Sequence, residues 1–81
     1  MNVITEVIGN IHTPEWHERL HDAHIEEIFL DQWTAQKSRF LGKGDHGNEY
    51  PVALTRHSQV KDGDIIAYDP EKNSAAIIRL N

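Results

Sequence analysis

The residues of this chain best able to do chemistry are its histidines. There are six in 81 positions: His12, His17, His21, His24, His46 and His57. His17, His21 and His24 stand at i, i+4 and i+7, a spacing that puts all three on one face of a helix. Two imidazoles one turn apart chelate a divalent ion of the zinc, nickel or copper kind. Glu18 or Asp22 would then add an oxygen ligand or a second-sphere acceptor. His17, His21 and His24 are therefore the candidate metal ligands; the alternative is three solvated histidines beside acidic neighbours. His46 lies in Gly44-Asp45-His46-Gly47, which reads either as a contact loop or as a plain turn, and His57 reads as a loop residue.

Other chemistries are excluded more easily. The chain has no cysteine, which removes disulfides, thiolate zinc sites, iron–sulfur clusters and a cysteine nucleophile, and suits a reducing cytosol. It contains no serine nucleophile elbow, no glycine-rich phosphate loop and no HExxH helix. The acid pairs Glu26-Glu27 and Asp62/Asp64 read as solvated. A β domain of this size has little volume for an enzyme pocket, so the chain is expected to have no catalytic residues and not to be an enzyme. A formal net charge of −5 repels a phosphate backbone, which argues against nucleic acid as a partner. No apolar run approaches the roughly 20 residues that span a bilayer. The N-terminus lacks the basic start and apolar stretch of a leader. A cytoplasmic protein with no membrane partner is the expectation.

The elements that must position these groups follow from patterning. Eighty-one residues make one domain with one core. Residues 3–8 are rich in β-branched side chains and predict a strand, ended by a Gly9-Asn10 turn. Residues 13–24 predict a short helix. Thr13 is its cap, Pro14 takes the first position, and Trp16, Leu20 and Ala23 form a narrow apolar stripe that must dock. Residues 25–33 extend that helix or form a strand, anchored by Ile28, Leu30 and Trp33. Strands follow at 36–41, 49–55, 65–68 and 75–80, with a glycine-rich hairpin tip at 42–48 and turns at 61–64 and 69–73. Short sequential strands joined by turns imply an antiparallel, mainly all-β core. The aromatics Trp33, Phe40, Tyr50 and Tyr68 either line an apolar groove or fill the core. The chain stops directly after its last apolar strand, as either a domain cut from a longer protein or a complete small protein would.

In order and spacing, several segments resemble the UreE family of urease accessory proteins, the nickel metallochaperones. They are Met1-Asn2-Val3-Ile4 with Val7-Ile8-Gly9-Asn10-Ile11, then Trp33-Thr34-Ala35-Gln36-Lys37-Ser38-Arg39-Phe40. Gly47-Asn48-Glu49 and Pro51-Val52-Ala53-Leu54 follow, and then Val60-Lys61-Asp62-Gly63-Asp64-Ile65-Ile66-Ala67-Tyr68 with the strand at 75–80. The resemblance spans nearly the whole chain but only the family's N-terminal domain. It implies two stacked antiparallel three-stranded sheets with one short helix near 13–24. It also implies a peptide-binding-like module, similar to a domain of DnaJ-type chaperones, that contacts urease or its assembly proteins in nickel delivery. The family's C-terminal metal-binding domain, with its principal nickel histidine and dimer interface, has no counterpart in residues 1–81. This domain is therefore expected to need no cofactor of its own and to be a monomer. The rival reading is a small stand-alone His-rich metal-binding protein using residues 12–24.

Overall fold

The computed structural model describes residues 2–80. Among them run six strands and two short helices: β1 (Gly9–Asn10), α1 (Pro14–Arg19), β2 (His24–Leu30), α2 (Gln32–Ala35), β3 (Arg39–Lys43), β4 (Glu49–Ala53), β5 (Asp64–Asp69) and β6 (Ser74–Leu80). The fold is mainly β, as the patterning requires, but its sheets are not two antiparallel triplets. One sheet has four strands in the order β1-β5-β6-β2, and the other is the β3-β4 hairpin. The larger sheet is mixed: β2 runs parallel to β6 along its whole length, from His24↔Ser74 to Leu30↔Leu80. Parallel neighbours need a long crossover rather than a turn. Here β3, β4 and β5 lie between them in sequence, and local turn rules carry no sign of such a pairing.

The central position of β6 is written in its composition. Ala75, Ala76, Ile77 and Ile78 are all buried, the mark of a strand covered on both faces. Ala76 and Ile78 face one core with Ile28, Leu30, Val52 and Ile66. Ala75 and Ile77 face another with Trp16, Leu20 and Ile65. A register shift between Ile65 and Ala67 lets β5 serve both sides: Ile65 and Tyr68 join the second core, while Ile66 and Ala67 join the first. Three layers result. Helix α1 covers one face of the four-stranded sheet, and the β3-β4 hairpin covers the other.

The docked stripe is real, though its helix is half the expected length. Trp16 and Leu20 are buried and Ala23 packs beside them, yet α1 ends at Arg19. A close approach sets its position. The Trp16 indole lies over Gly9, where any Cβ would collide with the ring. Thr13 does not cap the helix with its side chain. Its hydroxyl instead donates to the Asn10 carbonyl at 2.8 Å, so it fixes the preceding turn.

Three further expectations are corrected. Gly9-Asn10 is the paired strand, not the turn, because Asn10 is tied to β5 through its amide and the buried Asp64 carboxylate at 2.9 Å. Of residues 3–8, Ile4 forms a single parallel bridge to Val52. Trp33 is no core anchor: it is 70% exposed, since Asp31 accepts the Thr34 amide at 2.7 Å and starts helix α2 there. An Asp ahead of Gln-Trp-Thr-Ala was the available signal for that cap.

Candidate functional site

Strand β2 places His24, Glu26, Ile28 and Leu30 on one side, because successive side chains alternate. Ile28 and Leu30 enter the core between the sheets. Glu26 occupies the same row and is 5% exposed. A buried carboxylate is costly unless hydrogen bonds satisfy it, and four do. Its Oε2 accepts the backbone N–H groups of His46 at 2.9 Å and Asn48 at 3.3 Å. Its Oε1 accepts the Asn48 side-chain amide at 2.9 Å and the Tyr50 hydroxyl at 2.5 Å. Every donor comes from the hairpin tip or from β4, so this one carboxylate clamps the β3-β4 hairpin onto β2.

Burial is the largest single influence on the Glu26 carboxyl and pushes its pKa up. The bonds from Tyr50, from the Asn48 side chain and backbone, and from the His46 backbone together outweigh it, and the net shift is downward. The Tyr50 phenol moves the other way, up to about 12, through burial first and then its bond to, and the charge of, Glu26. Gly44 completes the clamp, since a Cβ there would run into the Glu26 carboxylate. Beside it Asp45 bonds twice to β2: its N–H donates to the Glu27 carbonyl at 2.9 Å, and its Oδ1 accepts the Glu27 amide at 3.0 Å.

Reading Glu26 and Glu27 as a solvated pair therefore fails for the first of them. Glu27 faces the other way and pairs with Arg79 at 2.7 Å. Strand parity was the missed signal, because Glu26 is two residues from Ile28. Asp64 is buried as well, accepting Asn10 and the Lys61 backbone amide.

The expected histidine face does not form. His17 lies in the last turn of α1, His21 follows the helix in a turn, and His24 opens β2. His24 instead meets His46, with ring centroids 5.0 Å apart. Both line an open groove of about 470 Å³, whose walls include Glu26, Asn48, Tyr50, Tyr68 and Lys72. Of the four aromatics considered from sequence, Tyr50 and Tyr68 thus reach the groove. His46 and Asp45, with Glu26, also place one potential ligand atom each within 4.8 Å of one another.

The result is a small mainly β domain in which buried Glu26 holds a hairpin beside an open, histidine-edged groove. Residues 4–78 match the N-terminal domain of the UreE urease accessory protein. Similar proteins include the urease accessory protein UreE of Yersinia mollaretii, 37% identical over 82 positions, and that of Yersinia aldovae, 38% identical over 82 positions. The protein of that name from Yersinia pestis (strain Pestoides F) is 37% identical. In each case all of this chain is aligned, against 36% of the relative. The chain belongs to the UreE urease accessory protein family and corresponds to its N-terminal domain. It spans about a third of the length of the curated relatives it matches. The family is one of accessory chaperones, not enzymes. No helix among the described residues is long and apolar enough to cross a membrane.

Proposed function

We propose that this domain is the protein-contact part of a nickel metallochaperone in the cytoplasm, assisting nickel delivery and urease maturation by docking onto urease or its assembly proteins. The observation that carries this reading is the family match over residues 4–78. The surface supports it. Phe29, Trp33 and Leu41 are large apolar side chains left more than half exposed, while the chain satisfies its buried polar side chains internally among the described residues. Such a surface costs the free domain apolar exposure that a partner would relieve. The domain acts as a monomer in this role and needs no cofactor to fold.

The test is a binding measurement. Immobilised chain is exposed in turn to purified nickel-free urease and to each purified urease assembly protein from the same source. Saturable binding to one of them, weakened by Trp33→Ala or Phe29→Ala without loss of fold, supports the proposal. No saturable binding to any of them overturns it.

A further inference from the structure

The histidines read from sequence as one helix face are dispersed by the fold, but one of them is brought to a second histidine and an acid. We propose that His24, His46 and Asp45 form a three-ligand site for a divalent cation of the nickel, copper and zinc group, at the edge of the groove. The site is independent of the protein-contact reading and would stand if that reading fell.

Two distances carry it. Two imidazoles bound through nitrogen to one tetrahedral ion, at about 2.0–2.1 Å, have ring centres about 5 Å apart. The centroids of His24 and His46 are 5.0 Å apart. Two donor atoms at those bond lengths lie about 3.4 Å from each other. His46 Nε2 and Asp45 Oδ1 are separated by 3.6 Å. The His46–Asp45 donor spacing is thus that of a shared ion, and the His24 ring stands at a compatible distance from His46. Its nitrogen is not yet among the converging donor atoms and reaches the ion by rotation of the exposed side chain.

The backbone under the ligands is already fixed, which lowers the ordering cost of binding. His24 starts β2, paired with Ser74 of β6. His46 is held by the hydrogen bond its backbone N–H donates to the Glu26 carboxylate, and Asp45 by its two hydrogen bonds with the Glu27 backbone. Glu26 contributes charge rather than a bond, since its oxygens are engaged by four donors. Lys72 and Asp69 both line the groove and offset one another, so with Glu26 the lining stays acidic. Imidazole donors select nickel, copper and zinc over magnesium or calcium, which take oxygen. Three protein ligands leave a fourth tetrahedral position open to water or to a further donor.

The experiment titrates Ni²⁺ alone, and separately Zn²⁺ alone, into the whole chain by calorimetry, with circular dichroism recorded on each variant. One ion per chain is expected. His24→Ala and His46→Ala should each weaken binding at least about tenfold. Asp45→Asn keeps the acceptor for the Glu27 amide and should weaken binding less. The double variant His17→Ala/His21→Ala should bind like the wild type. On the wild type, Ni²⁺ should broaden the imidazole NMR signals of His24 and His46 before those of His17 and His21. This readout decides the matter even if a variant misfolds. Absence of binding, equal affinity in folded His46→Ala, or first broadening at His17 and His21 would overturn the site.

Discussion

The Tyr50 hydroxyl donates to Glu26 Oε1 at 2.5 Å, joining strand β4 of the small sheet to strand β2 of the large one. The bond is the shortest of four that converge on a single buried carboxylate. It explains why an acid can stand in a row of isoleucine and leucine, and why the hairpin tip carrying His46 lies over β2 rather than in solvent.

Glu26→Gln should be costly although the shapes are nearly equal. Four donors point at the carboxylate, and an amide offers one acceptor oxygen and two donors of its own. Urea unfolding should show a loss of about 1–3 kcal/mol. The wild type should also lose stability in acid through this group. The folded pKa lies below the ordinary 4.5, so the stabilisation is complete above pH 4.5 and fades as the pH falls through the lower folded value. In Glu26→Gln that part of the acid sensitivity should be missing. Identical acid profiles in the two proteins would refute the clamp.

Tyr50 should titrate late. Its folded pKa of about 12 stands above the ordinary 10.0, so its contribution is present below pH 10 and is lost as the pH rises towards 12. Ultraviolet titration of a Tyr68→Phe variant isolates the signal. A midpoint at the ordinary value would mean that the phenol does not sit against a carboxylate.

Gly44→Ala should destabilise by about 1–3 kcal/mol, because the added methyl meets the Glu26 carboxylate and forces it aside. In a Glu26→Ala background the obstacle is gone and the same substitution should cost much less. Equal costs in both backgrounds would place the strain elsewhere.

The two tryptophans should behave oppositely. Trp16 is 7% exposed, edge-on to Tyr68 at 5.3 Å and beneath the Arg19 guanidinium at 4.5 Å. Trp16→Ala should cost about 3–5 kcal/mol, a large share of the whole stability of a domain this small. Trp33→Ala should change stability by no more than about 0.5 kcal/mol. Thermal melts of the two variants check both, and a similar Tm for the pair would contradict the docked helix.

By itself the sequence determined that short strands would dominate, that Trp16 and Leu20 would dock a short helix, and that the chain resembles the UreE family. Those features are local or compositional: β-branched runs, glycine-rich turns, an apolar stripe at helical spacing, and motif order. The tertiary structure alone decided that β2 lies parallel to β6, that Glu26 is buried, and that His24 meets His46 while His17 and His21 do not. Alternation tells which side chains share a face of a strand, not which strand or hairpin covers that face. The partners of Glu26 lie 20 to 24 positions along the chain, and they converge only when the β3-β4 hairpin folds over a sheet whose order no turn specifies. A helix spacing that continues past Arg19 likewise loses its meaning once the backbone changes period from 3.6 to 2 at His24, and the direction of every later side chain changes with it.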